Sequence, residues 1–244
     1  PGRLHRTWPM HVDTAPYDNN DVRLALKYAV DRDELNDKIL SGTGSVGNDH
    51  PISPAYAYFN SELPQRTYDP DKAKFHLKKA GMDNLTVSLS TSEGIWPGAV
   101  DAATLYSESA AKAGIDLKIN KVPNDGYWAN IWLKHPFCAS YWSGRPTEDW
   151  MFTSGYAAGG SWNESRWAHP RFNELLKAAR GELDENKARE MYWEMQQLCS
   201  DEGSSVIPLF ADWLDAHSDK LAHGELKSNR ELDGLRPIRR WWFV

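Results

Sequence analysis

The chain has 244 residues, 41% of them apolar and 25% charged, and a formal net charge of −6 at pH 7. That length buries a sizeable core in one large domain or two small ones. The acidic balance, with no Lys/Arg run longer than two, excludes the basic footprint of a nucleic-acid binder, and no stretch approaches the ~20 apolar residues of a membrane-spanning helix.

Pro1 to Pro9 has neither an initiator methionine nor a charged segment leading into an apolar one, so either a leader has been removed or the chain begins mid-protein. Asn19, ahead of Val22, Leu24, Ala25, Tyr28 and Ala29, is an N-cap followed by apolar residues at helical spacing. Asp31 with Glu34 three residues on opens a second helix, stopped by Gly42 and Gly44. Residues 47–54 form a Pro-interrupted loop that carries Asn48, Asp49 and His50. Asp69-Pro70 caps a third helix that closes at Gly81. Leu85 to Ser90 alternates as a strand, residues 98–113 read as a helix ended by Gly114, and Ile115, Leu117 and Ile119 alternate again. This βαβ order predicts a parallel pair with a helical crossover. Further on, the pattern predicts a helix over Tyr127–Lys134, a strand over Phe137–Trp142, helices over 170–180 and 184–201, and a short apolar strand over Val206–Phe210. The chain closes on Trp241-Trp242-Phe243-Val244, an apolar terminus that needs a partner surface.

Tyr141-Trp142-Ser143-Gly144-Arg145-Pro146-Thr147-Glu148-Asp149-Trp150 carries the strongest chemical signal. It follows a strand, breaks at Gly and Pro, and sets an arginine fork among indoles. The density of aromatics from Tyr127 to Trp167 exceeds what one core segment needs, so part of it must line a surface or cleft. Cys138 and Cys199 lack metal-ligand spacing and read as buried thiols, with one long-range disulfide open, and the eight histidines show no H-E-x-x-H pattern, so no metal centre or cofactor site is expected.

The order of motifs resembles a known family. Asp21-Val22-Arg23-Leu24-Ala25-Leu26-Lys27-Tyr28-Ala29-Val30-Asp31-Arg32, Tyr68-Asp69-Pro70-Asp71-Lys72-Ala73-Lys74 with Lys79-Ala80-Gly81, Gly114-Ile115-Asp116-Leu117, and Ile207-Pro208-Leu209-Phe210 are similar to segments of the extracytoplasmic solute-binding proteins of ABC transporters that carry peptides, dipeptides and nickel, family 5. Members of that family are roughly twice as long and close two lobes on a ligand. The resemblance therefore implies the carboxyl-terminal half of such a protein: an α/β chain forming one three-layer lobe of the type II periplasmic-binding fold, with a mixed sheet flanked by helices. Residues 1–16 are expected as a strand or hinge segment from the missing amino-terminal lobe, 17–207 as the ligand-binding lobe, and 208–244 as a segment returning across the hinge.

The resemblance further implies a periplasmic or otherwise extracytoplasmic protein that captures a solute between its lobes and delivers it to a membrane permease, with no catalysis. Where peptide binders of the family place an aspartate for the peptide's amino group, this chain has Arg145, which repels an ammonium and favours an anion such as a carboxylate or phosphodiester. The candidate ligand residues are Arg145, Trp142, Tyr141, Trp162, Asn163, Asn48, Asp49 and His50. Asn163 is read either as a ligand contact or as a turn cap, and Asn48 to His50 either as a cleft-lining loop or as an Asx-turn. The competing reading is a glycoside hydrolase with Glu148 and Asp149 as its carboxylate pair beside an aromatic platform, although adjacent residues on an extended segment diverge.

Overall fold

The computed structural model describes residues 2–227 and 230–244; Pro1, Ser228 and Asn229, which fall in the expected terminal segments, lie outside the described residues. In chain order the elements are β1 (Leu4–Pro9), α1 (Asn20–Tyr28), α2 (Arg32–Leu40), β2 (Ser45–Val46), α3 (Pro70–Lys79), β3 (Leu85–Thr91), α4 (Ala99–Ala111), β4 (Ile115–Lys121), α5 (Tyr127–Asn130), β5 (Ser140–Trp142), α6 (Glu148–Gly155), α7 (Pro170–Ala179), α8 (Glu185–Asp201), β6 (Ser205–Ala211), β7 (Leu221–His223), the short turns α9 (Glu231–Leu235) and α10 (Pro237–Arg240), and β8 (Trp241–Phe243). The expected caps form: the side chains of Asn19, Asp31 and Asp69 accept from the amides of Asp21, Glu34 and Lys72 at 2.9, 3.0 and 2.9 Å. The expected helix at 127 is shorter than its sequence pattern, ending at Asn130 ahead of Leu133, whose φ of 63° breaks the spiral. The strand expected from Phe137 is regular only from Ser140, because Phe137 and Cys138 form single bridges to Met10 and Ser90 instead.

β3 and β4 run parallel in register from Leu85↔Ile115 to Thr91↔Lys121, with α4 as the crossover. β2, β6, β1 and β5 form an antiparallel group in that order, and Ser90 joins the two sets through backbone bonds to Phe137 and Ala139. The result is a mixed sheet. Its two faces bury separate clusters. Trp8, Leu26, Leu89 and Tyr106 pack on one, where Trp8 stacks on Tyr106 at 4.8 Å, and Phe152, Phe172, Met195 and Phe210 pack on the other. β6 shows the division residue by residue: Val206 and Leu209 enter the first cluster, Ile207 and Phe210 the second. Helices on both faces of one sheet give the three layers that the sequence implied.

β1 lies between β5 and β6, so residues 4–9 and 208–211, which the boundaries at 16 and 207 set outside the lobe, are members of its sheet, buried except for the half-buried Arg6. Beyond Ala211 the chain leaves this layer. β7 and β8 pair only with each other, and Trp242, Phe243 and Val244 stay exposed. Cys138 and Cys199 are free, buried thiols, and burial pushes the Cys138 pKa up to about 12.

Candidate functional site

β5 ends in a turn at Gly144, whose φ of 81° and close approach to Arg3 leave no room for a side chain. Arg3 holds this turn by donating from Nη1 to the carbonyls of Arg145 (3.2 Å) and Pro146 (2.8 Å), and the Arg145 amide donates to Tyr56 Oη at 2.9 Å. The turn thereby fixes the backbone of Arg145 and frees its side chain. The guanidinium lies over Trp142 at 5.1 Å and Trp162 at 5.9 Å, and Nη1 donates to the Gly144 carbonyl at 2.8 Å. Among the described residues no carboxylate pairs with Arg145. Burial lowers its pKa, and Arg230 adds to the lowering.

This arginine borders two adjoining cavities. One, of about 300 Å³, is lined by Trp128, Trp132, Ser140, Tyr141, Trp142 and Trp162 among others. The other, of about 520 Å³, adds Pro146, Trp150 and Arg230. Trp128, Tyr141, Trp150 and Trp162 are 43%, 38%, 54% and 48% exposed, so part of the aromatic run does line a surface.

A residue that the sequence did not single out supports the aromatic wall. Glu164 is buried. Its Oε1 accepts from Trp132 Nε1 (2.5 Å) and from Ser140 Oγ, and its Oε2 accepts from Trp142 Nε1 (2.9 Å). Burial raises its pKa and these three bonds oppose the rise. One carboxylate thus orients two of the indoles that border the smaller cavity. No local pattern shows this, since Trp132, Trp142 and Glu164 meet only in the fold.

The remaining predicted residues lie elsewhere. Asn163 is buried, and its Nδ2 donates to the carbonyls of Tyr156, Ala157 and Trp167 while its Oδ1 accepts from Ser165, so the turn reading describes it and it has no donor left for a ligand. Asn48 bridges the Pro64 carbonyl and the Arg66 amide. Asp49 is buried among cations: Arg32 Nη2 donates at 2.7 and 2.8 Å, Arg66 Nε at 3.0 Å and the Ile207 amide at 3.0 Å, and these hold its pKa down against burial. His50 borders a different cavity with Asn48, Phe59 and Asn60. The structure therefore gathers Tyr141, Trp142, Arg145 and Trp162 at one cavity, commits Asn163 and Asp49 to buried contacts within the chain, and sets Asn48 and His50 beside another cavity.

Glu148 and Asp149 occupy the first turn of a helix, not an extended segment, with Thr147 as its cap. Glu148 Oε1 accepts from the Tyr58 amide at 2.6 Å, and Asp149 pairs with Arg180 at 3.0 Å. Both carboxylates are committed to separate structural contacts, which is poor provision for an acid–base pair.

Residues 1–164 match the model of the bacterial extracellular solute-binding proteins, family 5 (middle). The dipeptide-binding protein of Escherichia coli is 28% identical over 219 residues, covering 81% of this chain and 38% of that protein. Heme-binding protein A of Haemophilus influenzae is 28% identical over 203 residues, covering 76% and 35%. The chain thus spans less than half the length of these curated relatives. A dipeptide-binding protein from Pseudoalteromonas sp. SM9913, solved with Met-Leu, superposes with a TM-score of 0.79 at 21% identity over 92% of this chain and 46% of that one. The mannopinic-acid complex of a binding protein from A. tumefaciens gives 0.76 at 21% identity, over 98% and 50%. These likenesses establish the shared fold.

Proposed function

The chain belongs to the bacterial extracellular solute-binding proteins of family 5, and from that premise we propose that it supplies a ligand-binding lobe of the substrate-binding component of an ABC importer. The solute is small, peptide-like or otherwise anionic, is captured outside the cytoplasm in a cleft between two lobes, and passes to a membrane permease without covalent change. The other lobe belongs to the same protein, and the exposed Trp242-Phe243-Val244 end supports a path toward it.

The observation that carries the choice of an anion is Arg145: a partly buried guanidinium stacked on two indoles, bordering open cavities, with no carboxylate of its own among the described residues. Nη1 is bonded to the Gly144 carbonyl, and the Nε and Nη2 donors support pairing with a carboxylate or phosphate oxygen in a wall rich in apolar area. A free peptide ammonium there would face a cation. The relatives named for dipeptides share the scaffold, and the arginine at this turn supports a different head group.

Mass spectrometry of small molecules that stay with the two-lobed protein through purification tests the reading. An anionic solute that is retained by the wild type and lost from Arg145→Ala is the expected outcome; a cationic solute, or none dependent on Arg145, overturns it.

A further inference from the structure

A second guanidinium lacks a counter-ion beside this pocket. Arg6 lies on β1 in register with Tyr141 of β5, and its guanidinium stands 5.9 Å from the Tyr141 ring and 5.1 Å from the Trp96 ring. Its Nε is buried with no hydrogen-bond partner, and among the described residues no carboxylate lies within ion-pair distance of it. Burial pushes its pKa down to about 10, which leaves it charged at neutral pH. Arg6 is half-buried as a residue, but a buried N–H donor such as its Nε is normally paired, and aromatic faces attract a guanidinium without satisfying its N–H donors. Arg6 does not line the cavity next to Arg145, but Tyr141 connects the two: its ring packs edge-on against Trp128 of the cavity wall at 5.6 Å and also faces Arg6.

We infer that Arg6 is a second anion-binding residue, and that the solute carries two anionic groups, one at Arg145 and one reaching across the Tyr141 ring to Arg6. This rests on the proposed capture of an anion at Arg145 and narrows it to a solute with two acids. Arg145 lines the cavity and Arg6 stands behind the Tyr141 ring without lining it. One small anion held in the cavity at Arg145 therefore does not also meet Arg6. A solute that spans them needs two separate acid groups.

The test uses three capped dipeptides that lack an ammonium: N-acetyl-Ala-Glu with two carboxylates, N-acetyl-Ala-Gln with one, and N-acetyl-Ala-Gln-amide with none. Calorimetry on the two-lobed protein should rank them in that order, with about tenfold or more between the first two. Arg6→Gln should reduce the diacid to the level of the monoacid, Arg6→Lys should keep part of the preference, and Arg145→Gln should weaken both acids. Equal affinity of wild type for diacid and monoacid overturns the inference, and so does a preference that survives Arg6→Gln at unchanged melting temperature. The reading beneath it fails separately, if monoacid and amide bind alike and Arg145→Gln changes neither. Because the ranking on wild type needs no variant, a variant that fails to fold still leaves the inference open to refutation.

Discussion

Two arginine-rich regions of this lobe differ in how their charge is balanced. Around Asp49, a buried carboxylate receives Arg32, Arg66 and the Ile207 amide, and nearby Lys27 gives its ammonium to the carbonyls of Cys199, Ser200 and Gly203 at the end of α8. Around β5, Arg145 and Arg6 stack on rings and find no acid among the described residues. The buried acid in that region, Glu164, receives only neutral donors. In the first region the charge is balanced within the chain. In the second it is not, and that difference supports the proposed site there.

The sharpest way to break this contrast is to open the closed region. Asp49→Ala leaves Arg32 and Arg66 buried without their shared partner and should cost about 3–5 kcal/mol in urea unfolding; a loss under about 1 kcal/mol would show that the cluster is not the scaffold described. In the open region the effect should fall on binding. Arg145→Ala should weaken capture of the co-purifying solute by about 2–4 kcal/mol in calorimetry while leaving the melting temperature nearly unchanged, and Arg145→Lys should recover only part because a point charge lacks the fork. Calorimetry that finds Arg145→Ala within a few tenths of a kcal/mol of wild type would reduce it to a surface arginine.

A histidine stands in each region and reports the balance. His5, in register with Trp142 and buried with both ring nitrogens unpartnered, is lowered to about 3 by burial and further by His50, Arg145 and Arg6. His50 is also lowered by burial, to about 4, and adjacent Asp49 opposes the shift. Both stay neutral in the fold while the unfolded chain takes up protons below about pH 6.5. Their stabilisation is therefore complete above that pH and is lost as pH falls toward 4 and then 3, by about 2 kcal/mol per histidine at pH 5. Unfolding free energies measured between pH 4.5 and 7.5 should rise with pH, with a shallower slope in His5→Leu; an unchanged slope would place His5 in a less buried setting. NMR titration should protonate His50 before His5.

Smaller effects refine the wall. Glu164→Gln replaces one of the oxygens that hold Trp132 and Trp142 with a donor, and should cost about 1–2 kcal/mol of affinity through looser rings. Crystals of the variant with both indoles unmoved would argue against this role. The smallest effect belongs to Glu148→Gln, which keeps an acceptor for the Tyr58 amide and should change solute affinity by less than about 0.5 kcal/mol. Any glycoside turnover that vanished in this variant would restore the hydrolase reading.

Local signals carried much of the fold. The caps at Asn19, Asp31 and Asp69, the parallel pair around α4 and the buried strand at 205–211 each rest on a few neighbouring residues, and all formed. Of the proposed site, the sequence marks what is local, Tyr141, Trp142 and Arg145, and the structure brings these three to one cavity. Glu164 and the proposed role of Arg6 were not legible because what marks them lies far along the chain, two indoles for one and the absence of a carboxylate among the described residues for the other. Asp49 shows the same limit: a charged loop looks alike whether it meets solvent or, as here, Arg32 and Arg66.

The placement of β1 sets the timing of folding. Leu4 pairs with Ala211 and Pro9 with Ser205, so the middle of the sheet joins the beginning of the chain to a strand some two hundred residues later. The loop-closure entropy of that pairing grows only slowly with length, and contacts so distant in sequence form late. During synthesis, β3, α4 and β4 have one another as partners early, while β1 waits with one edge open until β6 emerges. Until then the core around Trp8 lacks Val206 and Leu209, and a nascent chain cut before residue 205 lacks the strand that completes its core.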